Sequence, residues 1–400
     1  MSTARNVERD DVESRFSALA LGGATGTFAL IGAVSSLYGP LLVTLSQHYS
    51  LSLPRAGEVL SVHFVGALFG VLGAWIGIRL TNGRHVLHGA LALLTLGSLA
   101  VLVAHQWDQL LIAILFVGLG FGALDFSLNT LLSRTAEEGR ARRLSIPNAG
   151  YGVGAVIGPL LVLAVNPAHF PTIFLIIASS GIVLVTFTMG VSAPRLRSIA
   201  HHRHDPQLAA RRRWILGTFV LAYILYVAVE TSSSGWLATQ LRHEGYSPTV
   251  ASLATSAFWA GLAVGRSLGG VLHGHLGTRW LVLSGLGMTV LLALSAVSVP
   301  IAPWAYSLTG LVLASVFPMG LLWYGELLPQ DVDGIALMIL MMMLGGVVGP
   351  GAVGLMVSLV GIHVVPLVVA AFAALDFAVF LYATRFSPPH TVEVPAVVTS

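Results

Sequence analysis

The chain has 400 residues, of which 56% are hydrophobic and only 9% are charged, and its formal net charge is +3. Soluble domains are about 25% charged, so this composition excludes a soluble protein and indicates an integral membrane protein. The absence of cysteine excludes disulfides and thiolate metal sites, and the basic residues lie in short loops, which indicates membrane topology and not a nucleic-acid groove.

The N-terminal segment MSTARNVERDDVESR mixes acidic and basic residues, and the apolar run behind it is too long for a signal peptide. Apolar runs of about twenty residues cross a bilayer as helices, and the sequence predicts twelve of them. We name them spans one to twelve in chain order. They are predicted at 17–45, 57–79, 85–104, 109–132, 147–166, 170–191, 214–240, 248–273, 279–299, 303–326, 333–360 and 364–386.

The arginines are distributed unevenly between the two sides of the predicted membrane. The loops that follow odd-numbered spans hold only Arg55 and Arg242, and almost all the others lie on the side of the N-terminus. Because cytoplasmic loops are enriched in basic residues, both termini are predicted to be cytoplasmic.

The longest loop, APRLRSIAHHRHDPQLAARRR, separates two groups of six spans. Its HHRH segment has metal-binding residue types, but we interpret it as part of a solvated basic linker. The predicted organisation is a cytoplasmic N-tail at 1–16, an N-terminal six-helix bundle at 17–192, a cytoplasmic linker at 193–213, a C-terminal six-helix bundle at 214–386 and a cytoplasmic C-tail at 387–400.

The two groups of spans repeat each other weakly. A Gly-x-x-x-Gly-Pro element in span five recurs 191 residues later in span eleven. The residues are Gly154, Gly158 and Pro159, and Gly345, Gly349 and Pro350. We predict an all-α membrane protein of two pseudo-symmetric bundles with the substrate near the midplane between them, and we assign gating roles to Gly158, Pro159, Gly349 and Pro350, since proline permits a helix to bend.

Span four carries an acid within the apolar run FVGLGFGALDFSLNTLLSR. Gly118, Gly122, Asp125 and Asn129 share one helical face, and a charge in the membrane costs roughly 3 kcal/mol on insertion scales. Since lost hydration disfavours the charged form of a carboxyl, we predict that Asp125 couples transport to protons and that Asn129 orients it or binds substrate. The alternative is a structural acid that is hydrogen-bonded to a neighbouring helix or paired with Arg266.

Span seven contains Glu230 followed by TSSSGW. We predict that Glu230 takes part in proton coupling and that the small polar residues, Ser233 among them, weaken the helix and supply hydroxyls to the substrate. Trp236 has two possible roles: it stacks on a sugar ring, or it anchors the helix at the membrane interface.

Further polar and aromatic residues lie inside the predicted spans. Asn148 and Trp259 are predicted to line the substrate cavity, whereas Arg266 is either a structural charge or a substrate ligand. Counting helix rise places Glu230 and Arg266 at different depths, so we expect no direct pair between them. His63 and Asp376 are interpreted as packing and structural residues.

Four segments resemble the major facilitator superfamily, and within it the fucose permease and related sugar symporters. They are GLGFGALDFSLN in span four, YVAVETSSSGWLATQL in span seven, FWAGLAVGRSLGG in span eight and GLVLASVFP in span ten. The resemblance implies the major facilitator fold and a proton-coupling role at the position of Asp125. The segment GIRLTNGRH keeps Gly83 and Arg84 of the family's gating loop but lacks its aspartate, and span one lacks the acid found in fucose permease.

These features predict a secondary active transporter in the cytoplasmic (inner) membrane, most simply one that takes up a sugar or similar polar small molecule with protons by alternating access. The alternative is a proton-driven exporter of drugs or metabolites, because GYGVGAVIGP in span five loosely resembles the antiporter motif of helix five. A membrane enzyme lacks support, because no catalytic cluster or nucleotide-binding loop has the required spacing. A transport-dead sensor is disfavoured by Asp125 and Glu230. We expect no cofactor and no nucleic acid, and a monomer whose partners are substrate, protons and lipid.

Overall fold

The computed structural model describes residues 14–133, 135, 140–166, 169–193, 206–329 and 331–386, with backbone only at 140–145, 206–209, 267–280 and 332. Within these ranges the chain is almost entirely helical. The helices of spans one to six are Ala18–His48, Glu58–Leu80, Gly83–Val101, Trp107–Leu132, Arg140–Val165 and Phe170–Thr188, with a short helix Leu53–Ala56 before span two. The remaining helices are Pro206–His243 for span seven, Pro248–Val297 for spans eight and nine, Ala302–Leu313 and Val316–Leu327 for span ten, Val332–Val360 for span eleven and Val365–Ala383 for span twelve.

Short elements complete the described chain. Single 3₁₀ turns lie at Val299–Ile301, Ile362–Val364 and Thr384–Phe386. Strand Arg15–Phe16 pairs antiparallel with strand Val191–Ser192, which joins the start of span one to the end of span six. We call this end of the bundle the near end and the opposite end the far end. The predicted HHRH segment and both tails beyond 14 and 386 lie outside the described residues.

The helices have the length and apolarity of membrane spans. Ten described helical segments are long and apolar enough to cross a membrane, and Leu281–Val297 is a shorter apolar helix. Large apolar side chains remain exposed along their outer faces, Phe69, Ile112 and Leu283 among them, as expected of surfaces that contact lipid. The predicted all-α membrane fold is confirmed.

Spans eight and nine fall within one assigned helix instead of two. Gly265 packs against Ala314, and Gly287 packs against Val312, two residues away on span ten. A straight helix would separate Gly265 from Gly287 by about 33 Å. The chain therefore reverses direction between these two glycines and still supplies two spans.

Two spans differ in form from the uninterrupted helices that hydropathy indicated. Span ten is interrupted at Ala314 and Ser315, because Pro318 cannot donate the backbone hydrogen bond that the Ala314 carbonyl would accept. Span seven begins at Pro206, inside the predicted linker, and runs unbroken to His243. The polar TSSSGW segment does not break this helix, since Thr231 and Ser234 return their hydroxyls to carbonyls four residues earlier.

The two bundles use the same internal packing. A Cβ added at Gly154 would collide with the carbonyl of Ala29 in span one, and one added at Gly345 would collide with the carbonyl of Ile224 in span seven. The same relation joins span four to span two, where Gly118 lies on His63, and span ten to span eight, where Gly310 lies on Phe258. Because equivalent positions make equivalent backbone contacts, the weak sequence repeat corresponds to pseudo-symmetric packing.

The bundles meet along spans one and seven, two and eleven, and five and eight. Several of these contacts lie toward the far end. Gly39 approaches the backbone of Ser234 and Gly235, and Phe64 packs on Gly346. In this conformation the far end is therefore closed.

Candidate functional site

A polar network lies between the bundles in the near half of the molecule. Its N-terminal part comes from span four, where Asn129 Nδ2 donates to the backbone oxygen of Asp125 at 3.0 Å and to its carboxylate Oδ1 at 3.1 Å. Asn148 of span five donates to Asn129 Oδ1 at 3.3 Å. Three residues predicted for the site, Asp125, Asn129 and Asn148, are thus brought together by two helices.

The C-terminal part of the network is an ion pair reinforced by a tyrosine. Tyr226 OH donates to Glu230 Oε2 at 2.5 Å, and Arg266 Nη2 lies 2.9 Å from Tyr226 OH and 3.3 Å from Glu230 Oε2. The side chain of Glu230 is 11% exposed and that of Arg266 is 34% exposed. This arrangement gives partners to the Glu230 carboxylate and to Arg266 Nη2, charged groups that are costly inside the membrane, whereas Arg266 Nε has no partner among the described residues.

The expectation that Glu230 and Arg266 do not pair is wrong. It assumed that span seven ends at residue 240, whereas the helix ends at His243. Counted from the far ends of their helices, Glu230 and Arg266 lie about 20 and 27 Å deep. An arginine side chain, long and flexible, covers most of that difference, and Tyr226, one turn nearer to Arg266, bridges the rest.

The N-terminal and C-terminal parts of the network lie within electrostatic range of each other. Asp125 lies within electrostatic range of Arg266 and Glu230, and Tyr151 lies within range of all three. Tyr151 OH donates to Ser35 Oγ at 3.0 Å. No ion pair of Asp125 is found among the described residues, so its carboxylate has Asn129 as its neighbour and Arg266 as the nearby cation.

Two predicted aromatic residues occupy different surroundings. The Trp259 ring is buried beside Tyr151, with ring centroids 6.2 Å apart. Trp236 is fully buried between Gly57 of span two and Gly354 of span eleven, so it is not an interfacial anchor. Its position closes the far side of the network, where Ser233 is also fully buried.

The indole nitrogens of Trp236 and Trp259 and the hydroxyl of Ser233 have no hydrogen-bond partner among the described residues. Buried polar groups without partners are uncommon in folded proteins. A polar ligand that entered between the bundles would give such groups partners.

The predicted gating residues are spread over the bundle. Gly83 N donates to Ala193 O at 3.0 Å, and the Asn82 side chain accepts from Arg84 N at 2.9 Å, so one main-chain bond and one side-chain cap fix the near-end loop. Gly158 packs on Ala33 and Ser36, and Gly349 packs on Ala228 and Ser232. Pro159 and Pro350 lie inside continuous helices.

The residues interpreted as structural are buried. His63 Nδ1 lies 3.1 Å from Tyr38 OH, and its Nε2 has no partner among the described residues. Both carboxylate oxygens of Asp376 are buried without a partner in the same part of the chain.

Tyr226 was missed by sequence reasoning, although its spacing of four residues from Glu230 places both side chains on one helical face. Tyr151 is an aromatic residue inside an apolar span, a type that is mostly used for packing, so the sequence did not single it out. The sequence contained no signal that Ser35 would meet Tyr151, because that contact depends on how spans one and five pack.

Comparisons with known proteins give a consistent result. The family model described as Major Facilitator Superfamily matches residues 24–243 and 218–399. The glucose/mannose transporter GlcP of Bacillus subtilis is 24% identical over 77% of this chain and 80% of its own length. The 3-(3-hydroxy-phenyl)propionate transporter of Escherichia coli is 27% identical over 64% of this chain and 65% of its own length. A solved structure of the E. coli fucose:proton symporter, FucP, superposes with a TM-score of 0.64 at 18% identity, over 94% of this chain and 100% of that one.

Proposed function

Because the chain belongs to the major facilitator superfamily, we propose that it takes up a sugar or similar polar small molecule together with protons by alternating access. The proteins that it matches are transporters and not enzymes, so the enzyme alternative is excluded. The protein is proposed to lie in the cytoplasmic membrane. The arginine distribution supports an orientation in which the near end and both termini face the cytoplasm.

The observation that carries the proposal is the polar network between the bundles. Hydrogen-bond donors and acceptors from spans four, five, seven and eight converge on one region, as substrate sites at the interface of transporter repeats do. The amides of Asn129 and Asn148 and the hydroxyl of Tyr151 suit sugar hydroxyls, and the buried ring of Trp259 suits the apolar face of a sugar ring.

Asp125 is the proposed site of the coupling proton. An ionised Asp125 attracts Arg266 across the boundary between the bundles, whereas a protonated one does not, so Arg266 then remains with Glu230. Proton binding therefore changes the free energy of one arrangement of the bundles relative to another, which is what coupling requires. Glu230 has Arg266 as its own cation when Asp125 is protonated and shares Arg266 with Asp125 when Asp125 is ionised.

The test uses purified protein in liposomes with an internal pH dye, screened with hexoses, pentoses and polyols. We expect internal acidification when the transported sugar is added outside, and uphill accumulation under an imposed proton gradient.

Asp125→Asn should retain sugar binding and exchange but lose accumulation. Asp108→Asn, which changes an exposed acid in the first turn of the same helix, is the matched control. Proton-driven accumulation by Asp125→Asn at the wild-type rate would contradict the role of Asp125.

A second candidate substrate is an aromatic carboxylate. The Arg266 guanidinium is partly exposed and lies 5.9 Å from the centre of the Phe317 ring, a combination that suits a carboxylate attached to an aromatic ring. The E. coli relative is a 3-(3-hydroxy-phenyl)propionate transporter. The liposome screen therefore includes hydroxybenzoate and phenylpropionate, and competition with a bound sugar would show that both use one site.

A further inference from the structure

Hydrogen bonds join the two bundles at a pair of serines that no functional prediction used. Ser61 of span two donates from Oγ to the backbone oxygen of Val347 in span eleven at 3.0 Å. Ser256 of span eight donates from Oγ to the backbone oxygen of Val156 in span five at 2.9 Å. Each bond therefore runs from the second helix of one bundle to the fifth helix of the other.

The two bonds are related by the internal repeat. Ser256 follows Ser61 by the same number of residues as Phe258 follows His63, the two residues whose carbonyls contact Gly310 and Gly118. Val347 follows Val156 by the same number of residues as the repeated glycines and prolines of span eleven follow those of span five. Chance polar contacts between two bundles would not be expected to respect this relation. The pair is therefore a feature of the pseudo-symmetric interface.

Both acceptor carbonyls lie just before a proline inside a helix. Val156 and Val347 each precede a proline of the repeat, Pro159 or Pro350, by three residues. A proline inside a helix deprives the carbonyl four residues earlier of its donor and bends the helix there. The acceptor in each case is the carbonyl that follows the one left without its donor, so both bonds use equivalent positions beside a repeated proline.

The depth of the serines indicates which side they close. Ser61 and Ser256 lie about 5 and 12 Å along their helices from the far end. Phe64, one turn after Ser61, packs on Gly346, in the half where Gly39 approaches Ser234 and Gly235. Glu230 and Arg266, about 20 and 27 Å from the far end, lie on the near side of both serines, so the bonds join the bundles on the closed side.

We propose that Ser61 and Ser256 are a pseudo-symmetric pair of serine latches that stabilise the conformation closed at the far end, and that they set how often the transporter opens there. The inference rests on the proposed alternating-access function. It does not depend on the identity of the substrate or of the coupling ion, because each latch joins backbone to side chain between the bundles.

The experiment measures far-end opening directly. The chain has no cysteine, so Gln47→Cys at the end of span one and His243→Cys at the end of span seven give a spin-label pair with no background. Both positions are exposed. Double electron–electron resonance in lipid nanodiscs, without substrate and at one pH, then gives the populations of short and long distances. Ser61→Ala and Ser256→Ala should each raise the ratio of open to closed by about threefold to tenfold, the equivalent of one hydrogen bond, and the double variant should raise it by about the product.

Controls separate latching from loss of a buried hydroxyl. Ser98→Ala and Ser284→Ala remove buried serine hydroxyls that bond only carbonyls of their own helices, Leu94 and Leu281, and should leave the distances unchanged. Ser61→Thr keeps the hydroxyl and should restore the closed population. Unchanged distances in the double variant, or equal shifts in the controls, would overturn the proposal. Failure of sugar-driven proton movement with a clear latch effect would overturn the proposed substrate and coupling only.

Discussion

Replacing Glu230 by glutamine tests whether the ion pair stabilises the C-terminal bundle. Glu230 Oε2 receives a hydrogen bond from Tyr226 at 2.5 Å and lies 3.3 Å from Arg266 Nη2. Exposed pairs contribute about 0.2–1 kcal/mol, whereas breaking a fully buried pair costs about 3–5 kcal/mol. With Glu230 11% exposed and Arg266 34% exposed, this pair lies between those limits, so we expect Glu230→Gln to cost about 1–3 kcal/mol.

The pairwise contribution is isolated by a double-mutant cycle. The free energy of unfolding is measured in mixed micelles by detergent titration for wild type, Glu230→Gln, Arg266→Gln and the double variant. Since each single variant leaves one charge without its counterion, the double variant should be less destabilised than the sum of the two, with a coupling of about 1–2 kcal/mol.

Tyr226→Phe provides the matched control for that cycle. It removes one hydroxyl from the same cluster and keeps both charges, so it should cost about 1 kcal/mol. A coupling energy below about 0.3 kcal/mol between Glu230 and Arg266, the usual limit for independent sites, would refute the conclusion that they form a stabilising pair.

Three further changes test the packing and the near-end contacts. Trp236→Ala should cost about 3–5 kcal/mol of unfolding free energy, because the ring is fully buried; a loss below about 1 kcal/mol would mean that the ring does not fill the interface. Gly310→Val should be destabilising by about 1–3 kcal/mol through overpacking, whereas Gly325→Ala, with open space at the added Cβ, should not destabilise and should gain up to about 1 kcal/mol from helix propensity. Burial raises the pKa of Asp331, but its hydrogen bonds, led by those from Arg212, outweigh this and leave that pKa below its ordinary value. The stabilisation by ionised Asp331 is therefore present above the ordinary pKa near 4 and is lost as pH falls through the lower folded value. The melting-temperature difference between wild type and Asp331→Asn should therefore shrink between pH 6 and pH 3. A constant difference would contradict the assignment.

The fold was predictable because hydrophobic length alone defines membrane helices. All the predicted spans that fall on described residues are helical, and the repeat at Gly154 and Gly345 corresponds to equivalent packing. Helix ends were less predictable. The start of span seven is polar, so hydropathy gave no sign that the helix extends into the predicted linker, and the interruption of span ten depends on Pro318, four residues after Ala314.

The site was predictable only in part, because hydropathy identifies polar residues inside spans but not the helices that face each other. Asp125, Asn129 and Glu230 stand out as polar residues in apolar runs. The contact between Glu230 and Arg266 depends on the length and tilt of two helices, and a depth estimate from one helix end is sensitive to an error of a few residues. Ser61 and Ser256 gave no signal, since serine is common in membrane helices and their partners are backbone atoms.

The interface between the bundles combines weak contacts with one large anchor, and this combination suits a protein that must open at either end. A hydrogen bond contributes about 1 kcal/mol net, so the two serine latches together shift the equilibrium by roughly 2 kcal/mol. Glycines at Gly39, Gly57, Gly346 and Gly354 let backbones and rings meet without interlocking side chains. Trp236 adds more, but its indole nitrogen lacks a partner in the closed form, which offsets part of the benefit of its burial. A difference of a few kcal/mol between conformations is within the range that a proton or a bound substrate can reverse. If each latch contributed several times more, the far end would stay closed whatever bound to the network.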